Sequence, residues 1–251
     1  MSSLAVSLIA FAFIFGGALL GMSLRGAMPQ NHLSEDSKDS VKLGMGLVAT
    51  MCALVLGLLI ASAKTYYDTQ NAELTEMSAK IVLLDRMLAH YGPETNESRA
   101  LLRSVVEGSI DRLWQRGGPP GSHLDPAAVS SENLSEKTLG LSPKDDRQRV
   151  IQSQAISLEI SMGQTRWLMF EQASTQVPKP LVVTLVLWLT IIFIGWGIFA
   201  PRNATVMATW FVSALSVSSA IFLILEMYTP YASLILVSSD PLRAALAHLG
   251  Q

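Results

Sequence analysis

The hydrophobic and polar positions divide the chain into four long apolar stretches and one long polar segment. No Asp, Glu, Lys or Arg occurs in residues 2–24, 43–63, 181–200 or 203–225. As a helix, each stretch is long enough to cross the roughly 30 Å of hydrocarbon in a bilayer. No basic residue precedes the first apolar run, so it is predicted to be a retained span and not a cleaved signal. The pattern therefore predicts an all-α membrane protein with four transmembrane helices.

The distribution of charge predicts how these spans are grouped. Residues 1–63 and 181–225 form two transmembrane hairpins, residues 64–180 form a helical soluble insert between spans two and three, and residues 226–251 form an interfacial amphipathic tail. Of the 20 acidic residues, 15 lie between positions 66 and 180. An even number of spans places both termini and the insert on one side of the membrane. The basic residues that flank the spans are almost balanced, and we favour a cytoplasmic insert.

A regular apolar repeat marks the first part of the insert. The period of three and four residues is that of a helix-pairing seam, as in a coiled coil. The stalk seam consists of Leu74, Met77, Ile81, Leu84, Leu88 and Tyr91. No Pro or Gly intervenes between Gly57 and Gly92, so span two is predicted to continue without a break from residue 43 to residue 91.

Capping signals predict the remaining helices. One begins near Thr95 or Asn96, and a second begins with Ser142-Pro143 as N-cap and first helical residue and can pair with the stalk seam. Residues 117–141 are predicted to be a polar loop. In the tail, Asp240 caps a last amphipathic helix, while residues 232–237 are too few to span and are expected at the membrane interface or packed under the bundle.

Composition and charge exclude several functions. A net charge of −2 without a block of like charges does not favour nucleic acid. The single cysteine, Cys52, rules out an internal disulfide. The four histidines lie far apart, with no catalytic or metal-ligand spacing, so neither an enzyme nor a bound cofactor or metal is expected. Calcium stays open as an alternative on Glu226 and Asp240, although no compact acidic loop accompanies them.

Span two carries the clearest functional pattern. Small residues that let helix backbones approach closely recur along it. This helix-packing face consists of Gly46, Ala49, Thr50, Ala53, Gly57 and Ala61. It predicts contact within one subunit or between subunits. The alternative uses the opposite, apolar surface as a constriction that stops ions by dewetting. The pore-lining gate would then consist of Met51, Leu54, Val55 and Leu58.

The spans also lack the charged residues that ion-coupled transporters place near the midplane of the membrane. A charge-driven transporter is therefore disfavoured. What remains for the membrane part is anchoring or a passive pore.

Several segments together resemble the bacterial bestrophin-like family. The resemblance rests on residues 54–59, residues 83–88 followed by His90-Tyr91-Gly92, residues 199–203, and residues 223–226 through Pro230-Tyr231 to 237–238. It covers nearly the full chain. The tail departs from the family pattern of an acidic residue before Pro-Phe and a following Gly, so the calcium clasp of bestrophins is not recognisable.

The resemblance implies a relation to bestrophins, which are pentameric chloride channels whose second span lines the pore and whose helices continue into a cytosolic vestibule. The first hypothesis is therefore a homo-oligomeric, anion-selective passive ion channel of the bacterial inner membrane, pentameric by family likeness. Its partners would be lipid, further copies of the chain and small inorganic ions. The alternative is a non-conducting membrane scaffold or sensor that acts through coiled-coil-like stalk contacts.

Overall fold

The computed structural model describes residues 2–29, 34–114, 129–173, 177–231 and 234–251. These residues form α-helices and one short 3-10 turn, Pro93–Thr95, and no strand occurs among them. The helices are α1 (Ser3–Leu24), α2 (Glu35–Tyr91), α3 (Asn96–Leu113), α4 (Val129–Leu139), α5 (Asp146–Ala173), α6 (Lys179–Phe199), α7 (Ala204–Met227) and α8 (Asp240–His248). In the described residues, α1, α2, α6 and α7 are long and apolar enough to cross a membrane. The predicted all-α fold with four apolar helices is confirmed.

The chain divides into two compact units, and each consists of two segments that are separate in the sequence. The first unit comprises Met1–Thr65 and Gln176–Tyr228, and the second comprises Tyr66–Thr175 and Thr229–Gln251. Helix α2 contributes residues to both units.

In the first unit, α1 packs against α6 and α7. Ile14 and Ala18 of α1 are fully buried against Phe193 of α6 and Trp210 of α7. Edge-to-face aromatic contacts extend this core, and close van der Waals packing of this kind holds apolar helices together in lipid. Asn203 caps α7, because its side-chain oxygen accepts a hydrogen bond from the Val206 amide at 2.8 Å.

Glycines bring α1 and α6 into backbone contact. A Cβ on Gly21 would lie 3.0 Å from the Cα of Gly197 and would overlap the Ile194 carbonyl. A Cβ on Gly17 would lie 3.0 Å from the Thr190 carbonyl oxygen. A Cβ at Gly21 would require the backbone of α6 to shift, and one at Gly17 would be unusually tight. These contacts were not predicted from the sequence.

Helix α2 begins earlier than predicted. It starts at Glu35 instead of residue 43 and runs without interruption to Tyr91. Ser34 accepts a hydrogen bond from the Ser37 amide at 3.4 Å, and Glu35 and Asp36 place negative charge at the positive end of the helix dipole. A charged first turn can therefore extend an apolar helix into water, which the charge-free stretch alone does not reveal.

The second unit is built around the stalk seam. Leu74, Ile81, Leu84 and Leu88 are buried in one core with residues of α3, α4, α5 and α8, while Met77 packs against that core in a partly buried position. A polar contact supplements the packing of α2 on α5, since Lys80 Nζ donates to Ser161 Oγ at 2.8 Å.

Two predictions in the insert are wrong at the level of individual helices. Within the predicted loop 117–141, residues Val129–Leu139 form α4, while residues 117–128 lie outside the described part of the chain. Helix α4 has one buried leucine, Leu134, and a single apolar position does not produce a recognisable helical period in the sequence. Helix α5 begins at Asp146, not at Ser142, because Asp145 supplies the cap by accepting from the Gln148 amide at 2.7 Å.

Apolar side chains of the tail pack within the second unit. Val237, Leu242, Ala245 and Leu249 are buried in the core of the second unit. Arg103 Nη1 of α3 donates to the Leu249 carbonyl at 3.2 Å. The apolar side of α8 is therefore covered by protein, because the second unit has an apolar surface of its own to bury.

Candidate functional site

Helix α2 is the apolar helix that its own chain covers least. In its most apolar 18-residue window 11% of residues are buried, against 33% for α1 and α6 and 28% for α7. The buried side of this segment carries Met45, Cys52, Leu59 and Ala63. Most of the rest of its circumference is not covered by the described residues, so one chain leaves this apolar segment largely open.

Three of the four predicted gate residues lie on the open side. The exposed fractions of Met51, Leu54 and Leu58 are 44%, 65% and 63%. Val55 is half-buried instead, because it follows Cys52 by three residues and precedes Leu59 by four and so lies next to the covered side. The structure thus brings Met51, Leu54 and Leu58 together on one face and separates Val55 from them.

The small residues share this open side. Gly46, Thr50, Ala53, Gly57 and Ala61 are exposed, whereas Ala49 is half-buried. A Cβ added to Gly46 or Gly57 would meet nothing within 4 Å. The Thr50 hydroxyl donates to the Gly46 carbonyl at 3.0 Å, so it is satisfied within the helix.

The expected arrangement, with the gate opposite the small residues, therefore needs correction. Leu54 and Leu58 directly follow Ala53 and Gly57, and one residue corresponds to about 100° around a helix. The apolar stripe and the small-residue stripe are neighbours on one exposed side. The opposite side is the one that packs within the chain.

The two carboxylates considered for calcium belong to different units of the chain. Glu226 is buried at the end of α7 in the first unit, and Asp240 is exposed at the start of α8 in the second. Among the described residues, no group of three or more His, Cys, Asp or Glu side chains could hold a metal ion.

A buried polar network at the start of the second unit was not predicted. Gln172 donates to Glu73 Oε1 at 2.8 Å and accepts from Gln70 Nε2, while the Tyr231 hydroxyl donates to Gln70 Oε1 at 3.3 Å. Burial raises the pKa of Glu73, against the opposing effect of the Gln172 hydrogen bond. In the sequence, Gln70 and Glu73 precede the seam with no signal that separates them from solvated polar residues.

A buried ion pair near the far end of α2 was also missed. Asp85, with its side chain 1% exposed, accepts from Arg99 Nε at 2.8 Å and Nη2 at 2.9 Å, and from the Gly250 amide at 3.2 Å. Burial alone would raise the pKa of Asp85, but these donors outweigh it and hold the pKa below its usual value. The pair joins α2, α3 and the residues after α8.

Comparison with known proteins gives a family and a fold. A family model described as Bestrophin-like domain matches residues 12–242. The structure is similar to the crystal structure of a bacterial bestrophin homolog from Klebsiella pneumoniae that carries a mutation, with a TM-score of 0.60 and 12% sequence identity over 97% of this chain and 99% of that chain. At this identity the likeness concerns the fold alone. No curated protein matches the chain in sequence.

Proposed function

Because the chain belongs to the bestrophin-like family, we propose that it assembles into a homo-oligomeric channel that conducts ions passively across a membrane. The chain carries the helices of an integral membrane protein. The single observation that carries the proposal is the open side of α2, where one chain covers only 11% of the residues in the most apolar window. Copies of the chain around a common axis would cover the small-residue stripe and leave the apolar stripe facing that axis.

The proposed gate is a ring formed by Met51, Leu54 and Leu58 from each copy, with Val55 supporting the ring from the covered side of the helix. Leucine and methionine offer no hydrogen bond to replace the water around an ion, so a narrow ring of them excludes both water and ions. A small separation of the α2 helices would hydrate the ring and permit flow. No charged residue is needed for this mechanism, and none occurs in residues 43–63.

Further details of the proposal rest on the family resemblance. We propose that the permeant ions are anions, that five copies assemble, and that the protein lies in a bacterial inner membrane with the insert and both termini in the cytoplasm. The proposed conduction does not require any of these details to be correct.

Reconstitution of the purified protein into liposomes tests conduction directly. We expect chloride efflux, measured with valinomycin to balance charge, to exceed that from empty liposomes. Potassium efflux in the presence of a proton ionophore tests the proposed selectivity, and we expect it to be slower than chloride efflux. If neither chloride efflux nor potassium efflux exceeds the efflux from empty liposomes, the channel proposal is contradicted.

Serine substitutions test the gate. Leu54→Ser and Leu58→Ser place a hydroxyl in the proposed ring, and we expect each to raise chloride efflux several-fold because the constriction becomes wettable. Leu187→Ser on α6 is the matched control, since Leu187 is 56% exposed in the chain and is not assigned to the pore. Equal efflux in all three variants, with assembly as in the wild type, would contradict the assignment of α2 to the pore.

The scaffold hypothesis predicts no flux and a partner bound through the stalk seam. Leu74, Leu84 and Leu88 of that seam are already buried in the core of the second unit. Exchange of partners through the seam would therefore require this core to open, which favours the channel over the scaffold.

A further inference from the structure

The second unit contains a cavity that packing has left unfilled. Its volume is about 130 Å³, and residues of α2, α3, α4 and α5 line it, together with Leu242 of α8. The walls are mainly apolar and include the buried side chains of Leu84, Leu102, Val106 and Met169. An apolar cavity of about 150 Å³ accommodates a molecule the size of benzene. The space therefore suits a hydrocarbon group of about six carbons.

Two arginines give this cavity a charged side. Arg112 of α3 and Arg166 of α5 both line it. Arg112 is exposed and Arg166 is partly exposed, so their side chains lie where the cavity meets solvent. Arg112 Nη2 donates to Ser109 Oγ at 3.4 Å. Because serine is neutral, this long hydrogen bond does not compensate the guanidinium charge.

Among the described residues, one acidic side chain lines the cavity, that of Glu159. Glu159 Oε1 accepts from the Thr138 hydroxyl at 2.7 Å, while Oε2 is buried without a hydrogen-bond partner among the described residues. Burial raises the pKa of Glu159, although the Thr138 and Ser135 hydroxyls oppose that effect, and a raised pKa favours the neutral carboxylic acid. The acidic side chain of the described lining is thus one whose negative charge is disfavoured.

We propose that this cavity is a binding site for a small monocarboxylate with an apolar tail. The tail fills the space between Leu84, Leu102 and Met169, and the carboxylate lies against Arg112 and Arg166. Arginine suits this role because its planar fork of donors matches a carboxylate. A bound tail would contact α2, α3 and α5 together. The site does not depend on the proposed channel, since all its residues belong to the second unit.

Hexanoate is a suitable probe, since it matches the cavity in size and dissolves freely in water. The binding of hexanoate would be compared with that of 1-hexanol and hexylammonium by ligand-observed saturation-transfer NMR. The sample is the full chain in detergent micelles, and empty micelles are the blank. We expect hexanoate to bind at least about tenfold more tightly than hexanol or hexylammonium. All three have the same apolar tail, and a charge-assisted hydrogen bond to the carboxylate accounts for about a tenfold difference in affinity. No hexanoate binding, or equal binding of all three probes, would overturn the proposal.

Substitutions locate the site. We expect Arg112→Gln to weaken hexanoate binding about tenfold and to leave hexanol unchanged, because only the charged contact is lost. Val105→Phe adds volume to the wall and should weaken all three probes. Arg147→Gln, on an exposed arginine of α5 outside the cavity, should change nothing.

Undiminished hexanoate binding in Arg112→Gln, or an equal loss in Arg147→Gln, would show that the signal does not come from this cavity. Thermal unfolding of each variant establishes that it is folded. If Val105→Phe does not fold, the comparison of the three probes on the wild-type protein still decides the question.

Discussion

Glycines in two membrane helices of this chain have opposite surroundings. On α1, Gly21 faces the backbone of α6 so closely that even one added carbon would overlap it. On α2, Gly46 and Gly57 face open space, although they lie among small residues with a similar repeat. The same sequence signal therefore marks a contact completed inside the chain in one helix and a surface without a partner in the other.

Two carboxylates in the second unit repeat this contrast. Asp85 has its partner in the chain, the guanidinium of Arg99, and its pKa is held below the usual value. Glu159 has a buried oxygen without a partner among the described residues, and its pKa is raised by burial. In both comparisons one group has its contacts completed inside the chain, whereas the other lies on the open side of α2 or in the cavity of the second unit.

Gly21→Val tests the completed contact and should have the largest effect on the stability of one chain. Its side chain would enter the backbone of α6, and overpacking without space to relax costs about 3 kcal/mol or more. Thermal unfolding in detergent measures the loss. A melting temperature equal to that of the wild type would mean that α1 and α6 are not in contact at this glycine.

Asp85→Asn should have the next largest effect. Removing one charge of a buried pair costs about 3 kcal/mol. Because the folded pKa of Asp85 is lowered, its contribution is complete above the unfolded value of about 3.9 and is lost as pH falls through the folded pKa.

The difference in melting temperature between Asp85→Asn and the wild type should therefore be constant from about pH 5 to pH 8 and shrink below about pH 4. A difference that disappears at neutral pH would indicate that the ion pair with Arg99 does not stabilise the fold.

Glu159→Gln should have a smaller effect of opposite sign. The folded pKa of Glu159 is raised, so the ionised group opposes folding at neutral pH, and protonation relieves this as pH falls through the folded pKa. The amide retains the oxygen that accepts from Thr138. We expect the variant to melt at a higher temperature than the wild type at pH 7, and the advantage to decline toward about pH 4.3. A constant difference across this range would argue against a raised pKa.

Gly57→Leu should have the smallest effect on one chain, within about 0.5 kcal/mol, because a Cβ at this position meets nothing within 4 Å. If the open side of α2 is the subunit contact, the same change should prevent assembly, which light scattering after size-exclusion chromatography detects. Gly16→Leu is the matched control, since Gly16 also faces open space on a membrane helix. Full assembly in Gly57→Leu would mean that the small-residue stripe faces lipid.

The sequence predicted what depends on local period. The four apolar helices and the continuous course of α2 to Tyr91 follow from charge-free runs and from the absence of helix breakers. Helix α4 was missed because Leu134 alone gives no period. The start of α5 was misplaced because Ser142 and Asp145 both carry capping side chains, and only the Gln148 amide decides between them.

Contacts between residues that are distant in the sequence could not be predicted, for a different reason. The spacing of Gly17 and Gly21 indicates close packing, but it does not name α6 as the neighbour. Likewise, the amphipathic pattern of α8 indicates an apolar surface to be covered, and protein and lipid satisfy that need equally well. The gate residues illustrate the limit. Leu54 and Val55 are adjacent apolar residues, and only the packing of the rest of the chain against α2 makes Val55 half-buried and Leu54 exposed.

The interleaved order of the two units has a consequence for biosynthesis. Residues from position 229 onward complete the core around Leu84, and those from 176 to 228 complete the bundle that begins with α1. Neither unit can finish folding while its later part is still on the ribosome. The core around Leu84 therefore lacks Val237 and Leu242 until after α6 and α7 have been synthesised, and a chaperone has its clearest target during that interval.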